Sequence, residues 1–277
     1  MGTYDNPTRF KPVKRSKLRL FLGMRYYIFR RCLKWVFGGF KFARHKINDQ
    51  LKFECFCHKT PLLRKLKDVE MYLQYNKIVN LKLAVKRLNH IVIKPGETFS
   101  YWRAIGNPTG RKGYLEGMVI KNGRSVPGVG GGLCQLSNLI YWMTLHTPLT
   151  VTERHRHCFD VFPDSNRTQP FASGATCSYN YLDLMIRNDT RQTFQLCLDV
   201  TDAELVGRWY SDSPVPYSYQ IYEKDHRIDC ESWGGYSRHN TLYRRVFDIN
   251  GSLIADEFIV ENHAIMMYQP YLEQAIK

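Results

Sequence analysis

The chain has 277 residues, of which 40 are Lys or Arg and 25 are Asp or Glu, so its formal net charge at pH 7 is +15. This length is sufficient for a sizeable hydrophobic core in one large domain or two small ones. The eight cysteines are spaced irregularly. That spacing excludes the compact framework of a small disulfide-stapled secreted protein and favours a reducing compartment.

The first 46 residues carry most of the positive charge. They contain 13 Lys or Arg against the single acid Asp5, and therefore a net +12 of the total +15. Apolar and aromatic residues lie between these charges, which predicts a basic helical region. We expect residues 1–46 to bind an anionic membrane surface, where each basic side chain contributes about 1 kcal/mol. The alternative is that the apolar residues pack on the rest of the protein and the charges are solvated.

The basic region bears on the location of the protein and on its partners. Charges interrupt every apolar run, so no segment approaches the roughly 20 apolar residues that span a bilayer. There is also no uninterrupted signal-peptide core. We therefore expect a cytoplasmic protein, peripheral at the inner face of the membrane. Nucleic acid is a weaker alternative, because no helix-turn-helix, zinc-finger or RNP pattern accompanies the basic stripe. The sequence does not indicate an oligomeric state.

Several local elements are predicted before the central motif. Residues 76–89 have the apolar spacing of a helix, and residues 98–102 follow a Pro-Gly turn as a strand. Residues 118–126 form a predicted hairpin, because Asn122-Gly123 suits a type I′ turn.

A candidate zinc site lies at residues 55–58, which read Cys-Phe-Cys-His. This cluster has no second pair of ligands at standard zinc spacing, and His155, His157 and Cys158 are only a weak second half. We expect no metal and no cofactor.

Three consecutive glycines lead into a cysteine at residues 130–134. The apolar spacing after Cys134 predicts a buried helix that ends near His146, where Pro148 disfavours continuation. Unpaired N–H groups and the dipole at a helix N-terminus favour thiolate, which a nucleophilic or ligand cysteine requires. The alternative is a tight turn with a buried structural cysteine, since free cysteine often behaves as a small core residue.

Residues 149–157 alternate in polarity and are rich in β-branched side chains, which predicts a strand that runs back along the helix. His155 and His157 would then lie on one face of this strand, level with Cys134. A cysteine at a helix N-terminus and a histidine on the next strand is the layout of papain-like and transglutaminase-like thiol enzymes. We therefore predict Cys134 as nucleophile or ligand contact, with a histidine as its base.

A third catalytic group is expected on the next predicted strand, residues 174–188. The candidates are Asn180 and Asp183, although Asp183 could equally form a structural ion pair with Arg187. Polar groups near Cys134 form a predicted substrate-binding set, in which the glycine backbone would bind a peptide or an oxyanion. This set consists of Gly130, Gly131, Gly132, Gln135, Ser137, Asn138 and Arg154.

The C-terminal part reads mainly as strands separated by turns. The predicted strands are 195–200, 205–210, 217–223 and 243–249, with a loop at 233–235. We predict a basic, aromatic-rich N-terminal region over 1–60, a core over 61–192 and a β-rich continuation of that core over 193–277. The fold class is α+β, with the cysteine-bearing helix packed on antiparallel strands. The papain-like layout is an analogy of topology only.

Four motifs together resemble the VanW family, which is named for an accessory protein of vancomycin B-type resistance clusters. They are residues 94–102 (KPGETFSYW), 130–138 (GGGLCQLSN), 153–157 (ERHRH) and 175–190. The resemblance is strongest over residues 75–190. It implies an accessory protein of glycopeptide resistance that acts on, or binds, a cell-wall precursor or its peptide. An enzyme of this kind would be a cysteine-dependent amidase, peptidase or acyltransferase. A non-catalytic binding or scaffold protein of the cell envelope is the alternative.

Two comparisons with the family pattern refine the predicted site. Similar sequences carry histidine at the place of His157 more regularly than at His155, so the resemblance implies that His157 is the better partner for Cys134. They also commonly have aspartate directly before the Ala-Thr pair, where this chain has Gly174. Either Asp183, Asn180 or another group takes the place of that aspartate, or the site binds without catalysing.

Overall fold

The computed structural model describes residues 15–63, 70–121, 123–163 and 169–270, and these form an α+β arrangement. The helices are α1 (Lys17–Phe37), α2 (Met71–Leu88), α3 (Tyr101–Ile105) and α4 (Cys134–Leu145), with a 3-10 turn at Gly110–Lys112. The strands of the N-terminal half are β1 (Lys41–Phe42), β2 (Phe53–Pro61), β3 (Ile91–Ile93), β4 (Glu97–Ser100), β5 (Glu116–Lys121) and β6 (Arg124–Val129). The later strands are β7 (Thr150–Glu153), β8 (Phe159–Asp160), β9 (Met185–Arg187), β10 (Phe194–Val200), β11 (Glu204–Ser211), β12 (Ser218–Cys230), β13 (Tyr236–Phe247) and β14 (Leu253–Met266).

The strands pair in the orders β1-β4-β9-β7, β2-β11-β10-β3 and β12-β13-β14-β8, and β5 pairs with β6 as a hairpin. Most neighbours are antiparallel, while β1 with β4 and β14 with β8 are parallel pairs. The β2-β11-β10-β3 sheet takes strands from all three predicted regions of the chain. Its strands β2 and β3 lie far in sequence from β10 and β11, so this sheet depends on contacts that local patterns do not encode.

Helix α4 forms the centre of the core, against β11 and β2. Leu136, Leu139, Ile140 and Met143 have at most 1% of their surface exposed. The prediction of a buried helix beginning at Cys134 is confirmed, and the helix ends at Leu145. Helix α2 confirms the predicted helix over 76–89 but begins earlier, at Met71, and buries its own apolar face against β10 and β5.

Two predicted strands near the site are mostly wrong. Strand β7 ends at Glu153, and only Met185–Arg187 of the predicted strand over 174–188 is extended and paired. The reason is that much of the backbone of residues 174–181 bonds to side chains, and Thr176 and Ser178 bond to backbone groups outside the named strands. The carbonyls of Gly174, Ala175, Cys177 and Tyr181 accept hydrogen bonds from side chains, and the N–H of Ala175 donates to the side-chain oxygen of Asn138.

The turn motifs are largely confirmed. Gly123 has φ +73° in the hairpin between β5 and β6, where Lys121 lies opposite Arg124; Asn122 lies outside the described residues. The predicted strand over 98–102 is shorter, because Ser100 ends β4 and its hydroxyl accepts the N–H of Arg103 at the start of α3. The loop at 233–235 joins β12 to β13 as predicted.

The β-rich C-terminal part is also confirmed, with longer strands than the patterns indicate. Strands β10 and β11 match their predictions closely, whereas β12 and β13 extend well beyond them and β14 was not predicted. Irregular register between β13 and β14, after Leu242 and after Val246, interrupts the alternation on which strand prediction depends.

Helix α1 lies at the edge of the fold, and Arg31 is its one buried residue. None of the helices in the described ranges is both long and apolar enough to cross a membrane. The exposed apolar and aromatic residues of α1 are Leu18, Leu20, Phe21, Leu22, Met24, Tyr26, Tyr27, Phe29, Leu33, Val36 and Phe37. Residues 1–14 of the predicted basic region lie outside the described part.

Candidate functional site

The glycine turn places Cys134 at the start of α4. Gly130 and Gly132 adopt positive φ values of +76° and +88°, which side-chain-bearing residues rarely do. A β-carbon at Gly131 would lie 2.2 Å from the backbone of Gly117, so this glycine permits two backbones to touch. The turn is also tied by hydrogen bonds, including one from the Asn80 amide to the Gly131 carbonyl at 2.9 Å. These glycines therefore allow the turn before α4 to pack closely against β5 and α2.

The Cys134 thiol is partly buried and faces a carbonyl group. Its Sγ lies 3.8 Å from the carbonyl oxygen of Cys177, to which it donates a weak hydrogen bond. Burial raises the pKa of the Cys134 thiol above its ordinary value, against the smaller effect of hydrogen bonds. From the helix N-terminus alone, the sequence predicted that the pKa of this thiol would be lowered. Desolvation of the thiolate is the largest cause of this shift, and it favours the neutral thiol.

The two candidate histidines lie beyond the end of β7. The Nε2 of His155 is 3.0 Å from a carboxylate oxygen of Glu153. Burial, together with the nearby Arg154 cation, lowers the pKa of His157 to about 4, so this imidazole is neutral at pH 7. Within the described ranges, neither imidazole forms a hydrogen bond with Cys134. The assignment of a base to this thiol stays a prediction.

Asp183 is fully buried, and its partners are different from those predicted. Its carboxylate accepts hydrogen bonds from the Ser100 hydroxyl at 2.5 Å and the Trp102 N–H at 2.9 Å. Burial raises the pKa of Asp183 to about 6, even though these hydrogen bonds and Arg31 act in the other direction. The alternative of an ion pair with Arg187 is wrong, because that guanidinium binds Asp189 at 2.7 Å.

Asn180, the other candidate for the third group, is also fully buried. Its side-chain amide nitrogen lies 3.6 Å from the sulfur of Cys32, and its carbonyl oxygen has no hydrogen-bond partner among the described residues. No hydrogen bond in that part of the chain connects Asn180 to either histidine. Its amide therefore contacts the helix that carries Cys32 and does not orient an imidazole.

Glu153 lies at the centre of an ion cluster that the sequence patterns do not predict. Its carboxylate binds both terminal nitrogens of Arg31, one of them at 2.7 Å, and also Lys34 at 3.3 Å. Burial alone would raise the pKa of Glu153, but hydrogen bonds from His155 and Arg31 hold it well below its usual value. Glu153 is the first residue of the ERHRH motif, whereas nothing in the sequence distinguishes Arg31 from the other basic residues of α1.

The predicted substrate-binding side chains are bonded within the protein. Gln135 donates to the Thr60 hydroxyl and the Pro61 carbonyl, each at 2.9 Å. Ser137 donates to the Ala175 carbonyl at 2.6 Å, and Asn138 accepts the Ala175 N–H at 2.8 Å. These bonds hold the segment after Gly174 against α4. A binding role for these side chains stays a prediction.

Arg154 holds the same segment from the other side. Its guanidinium donates to the carbonyls of Gly174 and Ala172 and, at 2.9 Å, to the Asn262 side chain in β14. The guanidinium also lies 5.2 Å from the centre of the Tyr141 ring. Arg154 thereby connects α4, the segment around Gly174 and the C-terminal sheet.

Gly174 occupies the place where similar sequences commonly have aspartate. A β-carbon added there would lie 2.4 Å from the side-chain oxygen of Asn138. The Asn138 amide therefore fills the space that an aspartate side chain would enter. The described residues also contain no group of three or more His, Cys, Asp or Glu side chains arranged to hold a metal ion.

The fold and site define an α+β protein with a partly buried cysteine at the start of one core helix, a buried carboxyl group at Asp183 and a buried ion pair between Arg31 and Glu153. The family described as VanW like protein matches residues 76–210. The chain is 36% identical over 199 residues to the vancomycin B-type resistance protein VanW of Enterococcus faecalis, covering 72% of each chain. It therefore belongs to the VanW family.

A second relative matches a shorter segment. The uncharacterized protein YoaR of Bacillus subtilis is 31% identical over 113 residues, which is 41% of this chain and 36% of that protein. No solved structure matches the chain significantly.

Proposed function

We propose that this protein contributes to vancomycin resistance as a non-catalytic protein that binds a cell-wall precursor or its peptide at a membrane surface. The resistance setting is supported by the likeness to the enterococcal relative that bears that name. The observation that favours binding over thiol catalysis is the state of Cys134. Its thiol donates to a carbonyl oxygen, and burial raises its pKa, so the nucleophilic thiolate is disfavoured.

Helix α1 supports the membrane surface as the place of action. Its 21 residues contain six Lys or Arg and no acid. Large apolar side chains are exposed beside these charges: Leu18 is 67% exposed, Phe29 62% and Val36 70%. Their spacing puts these three on one face of the helix. An amphipathic helix of this composition binds anionic lipid through apolar insertion and charge attraction together.

Vesicle co-sedimentation of the full chain tests the membrane part of the proposal. We expect the wild type to bind phosphatidylglycerol-containing vesicles and to bind pure phosphatidylcholine vesicles much less. The triple variant Leu18→Ser, Phe29→Ser, Val36→Ser should lose most of this binding. A matched control changes three exposed apolar residues of the C-terminal strands and their turn: Ile249→Ser, Leu253→Ser, Phe258→Ser. Equal binding by the two triple variants would exclude α1 as the membrane-binding element.

Titration with a peptidoglycan stem pentapeptide tests the ligand and the absence of thiol chemistry. We expect binding by isothermal titration calorimetry with similar affinity for the wild type and Cys134→Ala, and no change in peptide mass after prolonged incubation. Cleavage or acyl transfer by the wild type that Cys134→Ala abolishes would replace this proposal with the thiol-enzyme alternative. Absence of binding to either protein would reject the peptide as the ligand.

A further inference from the structure

A cavity lies between the N-terminal elements and α3, and Cys134 is not among the residues that line it. Its volume is about 860 Å³, within the usual range for sites that bind small molecules. Its walls come from the last turn of α1, from β1 and the residues after it, from the end of α2, and from α3. We call this cavity the basic groove.

The basic groove is lined by six positively charged side chains and by no Asp or Glu. They are Arg44, Lys46, Lys86, Arg87, Arg103 and Lys112. Lys46 and Lys112 donate to the backbone carbonyls of Lys86 and Asn107. Within the described residues, none of the six forms an ion pair with a carboxylate.

Several arginines elsewhere in the described part of the fold pair with carboxylates, unlike these six cations. Arg31, Arg187 and Arg244 each bind a carboxylate within 3 Å. In the groove the cations instead disfavour one another. Burial and the neighbouring Arg44 lower the pKa of Arg103, and burial and the neighbouring Arg87 lower the pKa of Lys46. A bound anion would relieve this repulsion.

Aromatic rings complete the lining of the groove. They are Trp35, Phe42, Trp102, Tyr114 and Tyr179. The guanidinium of Arg103 lies 4.4 Å from the centre of the Phe42 ring, which fixes the orientation of its donors. Trp102 is only 3% exposed, and its backbone N–H donates to the Asp183 carboxylate. Rings beside arginines suit a ligand that carries an anionic group next to an apolar or ring-shaped group.

We propose that the basic groove binds the phosphate or diphosphate group of a phosphorylated ligand. Arginine is suited to this group because its planar fork of N–H donors matches phosphate oxygens in pairs. Two sources share this chemistry, the headgroup of an anionic lipid and a soluble phosphorylated compound. Trp35 lies in the last turn of α1, so the groove adjoins the helix that we propose to contact the membrane. The inference does not depend on any role of Cys134.

Calorimetric titration of the full chain with inorganic pyrophosphate tests the soluble source. The test variant is Arg44→Gln, Arg87→Gln, in which both side chains are exposed and have no ion-pair partner among the described residues, so the fold is retained. The matched control is Lys121→Gln, Arg124→Gln in the β5–β6 hairpin, which removes the same charge from another exposed place. We expect the Kd to rise about tenfold or more in the test variant and to stay nearly unchanged in the control.

Vesicles of phosphatidylcholine with added phosphatidylglycerol test the lipid source with the same two variants. Weaker vesicle binding by the groove variant than by the control, without pyrophosphate binding by the wild type, supports a lipid headgroup as the ligand. Pyrophosphate binding that only the groove variant weakens supports a soluble ligand. If the wild type binds neither probe, or the two variants weaken binding equally, the groove is not a phosphate site. The α1 triple variant reports separately on the membrane proposal.

Discussion

Arg31 in α1 binds Glu153 in β7 through both terminal nitrogens of its guanidinium, and this pair ties the N-terminal helix to the core. Both side chains are well buried, with 7% and 13% exposed. The same guanidinium donates to the Tyr181 carbonyl at 3.0 Å, so it also holds the segment that leads to Asp183. One ion pair therefore couples the exposed helix to the centre of the site.

Removing one partner of this pair should destabilise the protein strongly. Arg31→Ala leaves the Glu153 carboxylate buried without its main counter-ion, and we expect the free energy of unfolding to fall by about 3 kcal/mol. Lys34→Ala is the matched control: its side chain is 48% exposed and contacts the same carboxylate, so its loss should cost less than about 1 kcal/mol. Urea denaturation measures both. Similar losses in the two variants would show that burial of the Arg31 pair is not what stabilises α1.

Asp183 should make the stability of the protein pH-dependent. Its pKa is about 6 in the folded state and ordinarily 3.8, so the folded state holds this proton more tightly than the unfolded state does. The stability that the protonated Asp183 carboxyl gives to the folded state is therefore fully present below about pH 4 and is lost as the pH rises through about 6. The change between these limits is on the order of 3 kcal/mol.

The comparison of wild type with Asp183→Asn isolates this effect. The amide cannot ionise, while Glu153 and other titrating groups are present in both proteins. We expect the stability of the wild type relative to the variant, from urea denaturation at several pH values, to fall as the pH rises from about 4 to about 7. A difference that is independent of pH would contradict the raised pKa.

Cys134 should react slowly with alkylating agents at neutral pH. Because burial raises its pKa, the thiolate fraction at pH 7 is smaller than for a free cysteine. The measurement is the pH dependence of iodoacetamide labelling in a protein whose exposed cysteines Cys32, Cys57, Cys158 and Cys230 are replaced by serine. We expect His157→Ala to leave the profile unchanged. Rapid labelling well below pH 8.5 that this substitution abolishes would instead establish a thiolate–imidazole pair.

Gly174 and Asn138 should be energetically coupled. The β-carbon of Gly174→Asp would enter the space of the Asn138 amide, so we expect this variant to lose about 2 kcal/mol of stability. Gly110→Asp is the control, since a β-carbon there has no atom within 4 Å. Asn138→Ala opens the space, and the double variant should be more stable than the sum of the single effects by about 1 kcal/mol. Strict additivity in denaturation experiments would show that the two positions do not compete for space.

The sequence predicted the parts of the site that depend on local patterns. The helix at Cys134, its end near Pro148 and the glycine turn before it follow from apolar spacing and backbone preferences, and all three are present. The predicted strand through His155 failed because strand propensity does not reveal what the backbone will bond to. In the structure, the His155 carbonyl accepts the Thr176 N–H within a stretch that is not paired as a strand.

By itself, the sequence determined the α+β class, the core helices, the hairpin turn and the VanW resemblance, because periodicity, glycine positions and motifs are properties of neighbouring residues. The tertiary structure decided the electrostatics. Burial raises the pKa of Cys134, and Arg31 pairs with Glu153 although the two residues lie far apart in the sequence. The basic groove likewise exists only because three separate helices and β1 meet there. Desolvation and long-range ion pairing depend on which distant residues share a space, and local patterns do not specify that.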